Sequence, residues 1–576
     1  MISEPGPPKP LAKAAAALAA IVVIVGSFSV TRAGYSVDEE FTVFAVRGIQ
    51  QHGLPILPSG LLYDRGIAYS YAAWLAGVVT GSELPAFRAI SLIAAALSVF
   101  LTFALIRRIA GETTAIAASI LVALSVPFWA TATSGRFYAP FLVIYLLTLI
   151  CFTHPPSPRL RRGRPGNVLV LIAGAAIARL THELAFTLAI VPVVCWLLDR
   201  SDRRRWLTAI GAVVAGLVIG QAVLFALHAS VPSSGETMVR RFFLWQVINL
   251  FERPGDRQFG VPLAVMVIGL IAAPKRAWTI SVIALSIAAM ILAFSIARAT
   301  NSAPLSSALV TSVLFEGSRY PLDMFWHIAR TTPFTLLLAL ALLALRVAGA
   351  GGEWRFGERA AHALWVGWVL WFGVIESGIT TNYLLLPITF MLAAIAVDGA
   401  ALIRKARVPA LAIVAMIVAF DQWGASPIAR LDAARPTIAA TAIDDIRAGL
   451  QPADRIACTD ELGCLMLVGR IDRWLALDDY VRERFIVQRD NGLPTGVYTG
   501  VPAAFRPADL FEPNADGTLP DRVIVVDVFK DYPIGNSRSW LPKAIEEDGL
   551  RVTPLLETPQ MRVLQISPQE QVAGRW

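Results

Sequence analysis

The sequence predicts an α-helical polytopic membrane protein of about thirteen transmembrane helices, N-terminus in the cytoplasm, ending in a C-terminal α/β soluble domain outside the cytoplasm. Three observations carry that prediction. Of the 576 residues, 56% are hydrophobic and 16% are charged, whereas a soluble chain of this size carries roughly 25% charge. Apolar runs long enough to cross a bilayer recur up to about residue 423. The basic residues gather in short clusters between those runs, the pattern of cytoplasmic loops.

The spans read approximately 11–33, 86–107, 113–131, 137–153, 167–179, 181–198, 206–229, 259–273, 277–297, 332–348, 361–376, 383–400 and 408–423. The first lacks a following small-residue cleavage site and reads as a retained helix. With Lys9 and Lys13 inside, alternation places Arg107-Arg108, Arg159 to Arg164, Arg200 to Arg205, Lys275-Arg276 and Arg404 to Arg407 in the cytoplasm. It places the loops 34–85, 230–258 and 298–331 outside, and none of the three contains a lysine. A single helix over 167–198 would break this parity. The net charge of +8 is used up by these clusters, so no nucleic-acid partner is expected; membrane lipids are.

Two domains follow: a transmembrane domain over 1–423 and a domain outside over 424–576, where charged residues become frequent and no run is long enough to cross. Asp454 to Thr459 and the β-branched run Arg522 to Val528 read as buried strands. Glu461 to Val468 reads as a helix opened by Thr459 or Asp460. Alternating strands and helices imply α/β. Of four cysteines, Cys151 and Cys195 lie in apolar spans; Cys458 and Cys464 pair only if the domain meets an oxidising compartment.

The first outside loop carries the densest chemistry. Asp38-Glu39-Glu40 follows the first span, and Phe41, Phe44, Ala45, Gly48 and Ile49 recur at helical spacing, predicting an amphipathic helix over 38–52 on the membrane surface. Asp38 and Glu39 sit where the helix dipole favours the ionised form. Two readings of Asp38 stand: an N-cap, or a functional carboxylate, since three consecutive acids exceed what a cap needs. Glu40 reads as a solvated neighbour. Further along the same loop come Tyr63-Asp64-Arg65-Gly66, Tyr69, Tyr71 and Trp74. Tyr71 and Trp74 read as interface aromatics, while a guanidinium at headgroup depth suits a phosphate.

In this order, the motifs Asp38-Glu39, Gly53-Leu54-Pro55-Ile56-Leu57-Pro58, Asp64-Arg65 and Tyr69-Ser70-Tyr71-Ala72-Ala73-Trp74 resemble the GT-C membrane glycosyltransferases, in particular the aminoarabinose transferase and protein O-mannosyltransferase branch. The family usually has a lysine followed by prolines where this chain has Arg65-Gly66. Ser134-Gly135-Arg136-Phe137-Tyr138 resembles the family's Arg-containing start of the fourth span, with Pro140 and Phe141 where many members carry an acid. Asn382-Tyr383-Leu384-Leu385-Leu386-Pro387 is similar to an Arg-Tyr-x-x-Pro-type motif, Asn382 replacing the arginine. The resemblance covers most of residues 10–425.

It implies an inverting glycosyltransferase that moves a sugar from a polyprenyl-phosphate donor to a lipid, glycan or protein acceptor. Asp38 would be the base and Glu39 its orienting partner. A retaining double displacement would need carboxylates roughly 5 Å apart across the bond, which adjacent residues at a helix start rarely provide. Arg65, then Arg319, then Arg136 rank as donor-phosphate ligands; Tyr63, Tyr69, His182, Glu183 and Tyr383 rank as substrate contacts. His182 and Glu183 sit between two apolar pieces, where a helix-breaking cap is the alternative reading. No cofactor is predicted, because no chelating spacing such as HxxxH or DxD lies nearby; a divalent metal held by Asp38 and His182 is the minor alternative. The Arg- and Ala-rich composition suggests a high-GC bacterium, with the protein multi-pass in the inner membrane and its site toward the periplasm. The competing classes are a lipid-linked sugar flippase, for which no internal repeat is found, an O-antigen-ligase-type transferase, and a non-enzymatic scaffold. Sugar and acceptor are not legible.

Overall fold

A computed structural model describes residues 10–30, 38–153, 165–198, 203–231, 332–347, 384–403, 440–477, 493–513 and 537–568, together with most of 361–365, 482–488 and 517–528, less a few positions within these ranges. The expected spans at 259–273, 277–297 and 408–423, most of 361–376, and the candidate residues Arg319 and Tyr383 lie outside the described residues. By contacts the chain divides into two compact units. The first takes Met1–Val30, Phe87–Ala226 and Glu236–Arg430; the second takes Thr31–Ala86, Leu227–Gly235 and Leu431–Trp576.

In the first unit, α1 (Pro10–Val30), α4 (Leu84–Ala110), α5 (Glu112–Leu124), α6 (Val126–Ala132), α7 (Tyr138–Thr153), α8 (Pro165–Thr181), α9 (Ile190–Leu198) and α10 (Arg203–Ala229) follow the expected spans, and α11 (Pro333–Val347) and α12 (Leu385–Ile403) continue them. Among the described residues, α1, α4 and α10 are long and apolar enough to cross a membrane, and α5 with α6 makes a fourth candidate. The last pair was expected as one straight span; it is bent by 66°. The cause is Pro127, which lacks an N–H and whose ring excludes the carbonyl four residues back. That carbonyl, on Ala123, accepts instead from the Trp129 indole at 2.7 Å, and the Ser125 hydroxyl takes the Val122 carbonyl at 2.9 Å. Helix α12 is buried on every side from Leu385 to Gly399, the signature of a helix at the centre of a bundle.

The second unit holds α2 (Glu39–His52) and α3 (Ile67–Thr80) from the first loop and the α/β fold of the C-terminal residues. That fold is a six-stranded sheet in the order β5 (Ala503–Ala504), β2 (Arg473–Leu475), β1 (Asp454–Cys458), β6 (Arg522–Val528), β8 (Met561–Pro568), β7 (Leu550–Glu557). The first four strands run parallel and the last two antiparallel to their neighbours. Both faces are covered, which is why β6 is a continuous β-branched run rather than an alternating one. Ile524, Val526 and Val528 pack with α13 (Ala440–Gly449) and α14 (Glu461–Val468), while Val523 and Val525 pack with α15 (Ser537–Glu547). The strands at 454 and 522 and the helix over 461–468 fall where expected.

The capping reading of Thr459 does not hold. Asp460 takes the N-cap position of α14 without a side-chain cap bond. The Thr459 hydroxyl donates to Asp527 at 2.9 Å and accepts from the Val528 amide. Cys458 and Cys464 form a disulfide that ties the end of β1 to α14; Cys151 and Cys195 are free thiols.

Asp454, 2% exposed, receives a forked pair of bonds from Arg522, and Nε donates at 2.8 Å. That bond is the main influence holding its carboxyl below the usual range, with burial opposing it. A depressed carboxylate contributes stability that is full above its unfolded pKa, near 3.9, and is lost as pH falls through the folded value. Full-length protein is therefore expected to unfold more easily below about pH 4. The stability gap between it and Asp454→Asn should shrink over the same range; a gap that does not change with pH would refute the linkage.

Candidate functional site

The site in the second unit is built on an unusual turn. Asp38 precedes α2 with φ 72° and ψ −1°, and is the one non-glycine residue with positive φ among the described residues. This left-handed conformation costs of order 1–3 kcal/mol for a residue with a Cβ, although Asp and Asn tolerate it better than most. The Asp38 carboxylate makes no cap bond to the helix. The N-cap reading therefore accounts for its position and not for its side chain.

Helix α2 departs from its expected form. Glu39, Glu40, Thr42 to Val46, Gly48 and Ile49 are all buried, so the helix does not lie as a surface amphipath; Phe41 and Arg47 are half-buried and Gln50 to His52 exposed. Glu40, expected to be solvated, is 0% exposed, as is Glu39. Apolar spacing could not reveal this, because the residues that cover the polar face come from elsewhere in the chain.

Residues 53–63 fold back on themselves. The Tyr63 amide donates to the Pro55 carbonyl at 2.7 Å and the Leu57 amide to Leu61 at 2.8 Å. The fold-back delivers Tyr63, Asp64 and Arg65 to the start of α3. Gly66 then adopts φ 77° at its N-cap, which a proline, locked near −65°, cannot. The replacement of the family's lysine and prolines by Arg65-Gly66 is thus a coupled change of cation and backbone. Tyr63 and Tyr69 are buried, and Tyr63 stacks on Phe41 with centroids 5.5 Å apart. Asp64 meets His228 at 3.4 Å, a residue at the end of α10 that sequence reasoning did not single out.

Tyr498 was missed too. It lies in the turn after β4 (Pro494–Gly496), which pairs with β3 (Ile486–Gln488). Its ring sits edge-on to Phe41 at 4.7 Å and beside Phe485 at 5.7 Å. Its carbonyl accepts from the Ser59 amide at 3.0 Å. Burial pushes the Tyr498 phenol well above its ordinary range, Glu461, Tyr63 and Asp38 push the same way, and Arg65 opposes them. Asp38, Tyr63, Arg65, Glu461 and Tyr498 therefore share one electrostatic neighbourhood. Nothing near Tyr498 in the sequence signals this: the turn reads as an ordinary loop.

The other described candidates lie in the first unit. Arg136 is 3% exposed, its guanidinium 4.7 Å from the Phe137 ring, and its carbonyl accepts from Ser91. His182 is 4% exposed and packs against Phe137, Tyr138 and Phe141 at 4.9, 5.5 and 5.1 Å. The same aromatic cluster thus holds Arg136 and His182. His182 breaks the helical path between α8 and α9. Its Nδ1 accepts from the Leu184 amide at 3.0 Å and caps the 3-10 turn Glu183–Ala189. Glu183 is half-buried at the start of that turn. No cluster of three or more His, Cys, Asp or Glu with the geometry of a metal site occurs among the described residues.

Residues 64–228 match the family model described as dolichyl-phosphate-mannose-protein mannosyltransferase, and over that stretch the chain carries the GT-C resemblance read from its motifs. The match opens at Asp64 and closes at His228, the two residues paired above. No curated protein matches the chain. Among solved structures, the chain is similar to ArnT from Cupriavidus metallidurans bound to undecaprenyl phosphate, at 15% identity and a TM-score of 0.46 over 95% of this chain and 97% of that one. It is also similar to the archaeal oligosaccharyltransferase AglB from Archaeoglobus fulgidus in complex with an inhibitory peptide and a dolichol-phosphate, at 12% identity and a TM-score of 0.49 over 89% of this chain and 69% of that one.

Proposed function

We propose that the protein is a glycosyltransferase that takes a sugar from a polyprenyl-phosphate carrier and passes it to a hydroxyl acceptor, with the site on the periplasmic face of a bacterial inner membrane. Membrane-type helices and the mannosyltransferase family match support the class. The observation that carries the reading is the pairing in one unit of a strained, uncapped Asp38 with the cation Arg65. A base for the acceptor and a counter-charge for the departing phosphate are the two groups this reaction needs.

In the proposed step Asp38 accepts the proton of the acceptor hydroxyl as its oxygen attacks the anomeric carbon. The bond from that carbon to the phosphate oxygen breaks, and polyprenyl phosphate leaves with the electron pair. One displacement inverts the configuration. Arg65 faces a leaving group whose negative charge grows in the transition state, where a charge-assisted contact counts most. Glu39, buried beside Asp38 in sequence, fits an orienting role. Arg136 and Arg319 remain proposed donor-phosphate ligands, and Tyr63, Tyr69, His182, Glu183 and Tyr383 proposed substrate contacts.

The test is an envelope comparison. Strains with and without the protein are labelled with radioactive sugar, and their polyprenyl-phosphate sugars and glycolipids are separated and weighed by mass spectrometry. Loss of one glycosylated product together with accumulation of one polyprenyl-phosphate sugar is expected. Accumulation of that sugar on the cytoplasmic leaflet alone would replace the transferase by a flippase.

A further inference from the structure

Tyr498 is half-buried, and aromatic contacts with Phe41 and Phe485 and the backbone bond to Ser59 hold its ring and main chain. A phenol fixed in this way presents one hydroxyl donor in a set direction. Its surroundings hold an arginine and a carboxylate from the first loop, both close enough to act on it electrostatically.

The turn that carries it is anchored from below. Glu461, 3% exposed at the first turn of α14, accepts from the Thr499 amide at 3.1 Å and from the Thr499 hydroxyl. A side chain at Gly496 would overlap the same carboxylate, so glycine is what lets the turn close over it. The Cys458–Cys464 disulfide brackets the start of α14. A buried acid and a glycine therefore fix one short turn that presents a single phenol, and the disulfide braces the helix that carries the acid.

We propose that Tyr498 is a ligand-binding residue of the acidic-motif site, donating its hydroxyl proton to the phosphate of the polyprenyl carrier alongside Arg65. The proposal rests on the reading of the protein as a polyprenyl-phosphate-dependent transferase. A phenol held above its ordinary pKa stays protonated, so it offers a donor and never a competing negative charge. Arg65 supplies charge and Tyr498 a second, directed donor on rigid ground, the arrangement that orients an anion as well as attracting it.

The test is equilibrium binding to the full-length protein in detergent, with undecaprenyl phosphate and the neutral undecaprenol as paired probes. Wild type is expected to prefer the phosphate. Tyr498→Phe keeps the ring contacts and should weaken the phosphate by about 10- to 100-fold, leaving undecaprenol unchanged. Equal binding by wild type and Tyr498→Phe overturns the proposal while leaving the transferase reading intact. So does equal weakening of both probes, which would mark a packing role. Failure of wild type to prefer the phosphate overturns the transferase reading and this proposal together. Should Tyr498→Phe not fold, Thr499→Val, which removes the hydroxyl bond to Glu461 and keeps the amide bond, loosens the turn and is read with the same pair of probes: selective loss of the phosphate supports the proposal, and equal loss ends it.

Discussion

Asp38→Asn is expected to lower sugar transfer by about 10²–10⁴-fold, the range lost when a positioned general base is removed. The substitution is close to isosteric, and asparagine tolerates the left-handed conformation that Asp38 occupies at φ 72°. No helix-capping bond is lost, because Asp38 makes none. The variant should therefore fold normally and bind undecaprenyl phosphate as wild type does, with the loss confined to the chemical step. Initial rates with a radiolabelled polyprenyl-phosphate sugar and the thermal midpoint of each protein are the measurements. Retained transfer would remove Asp38 as the base. A lost midpoint would return it to a structural role. Asp38→Ala is a poorer probe, since alanine in that conformation carries strain of its own.

The second large effect is on stability and lies in the first unit. Asp398, on α12, is 0% exposed and accepts from His362 Nε2 at 2.6 Å, with Arg346 Nε at 3.5 Å. The Trp365 indole donates to His362 Nδ1 at 3.0 Å, which leaves the proton on Nε2, where it meets the carboxylate. Arg346 and His362 are each 1% exposed. Removing one partner of a buried ionic network leaves the other charge uncompensated, and such changes cost about 3–5 kcal/mol. Asp398→Ala should lose that much in denaturant unfolding of the detergent-solubilised protein. The double change Asp398→Ala with Arg346→Met should recover most of it, because no charge is then stranded. A single-variant loss below about 1 kcal/mol would show that water reaches the network.

The legible parts of the fold share a cause. Spans such as 86–107 and 206–229 were readable because a bilayer demands a long apolar run and nothing nearby has to be known. Helix Glu461–Val468 and strands at 454 and 522 were readable because alternation, caps and β-branched runs are local. The bend between α5 and α6 has a local signal in Pro127, but the apolar run continues through it and reads as one span. Cys458 and Cys464 were recognised as a pair that hinges on the compartment.

The candidate site divides the same way. Asp38, Glu39, Tyr63, Arg65 and Tyr69 stand out in the sequence because charges and aromatics are scarce beside a membrane span. Their burial does not: Glu40 was read as solvated and is fully enclosed. His228 and Tyr498 lie far along the chain from Asp64 and Phe41, and sequence spacing says nothing about such pairs.

Taken alone, the sequence determined that this is a membrane-embedded helical chain with a terminal α/β fold, and which loop concentrates acid, cation and aromatic ring. Those properties are set by hydropathy and composition, which each segment carries within itself. The tertiary structure decided that Asp38 is uncapped in a left-handed turn, that Glu40 is buried, and that the turn carrying Tyr498 packs against Phe41 and Ser59 of the first loop. Those depend on surfaces supplied by distant segments, and only folding brings such segments to the same point.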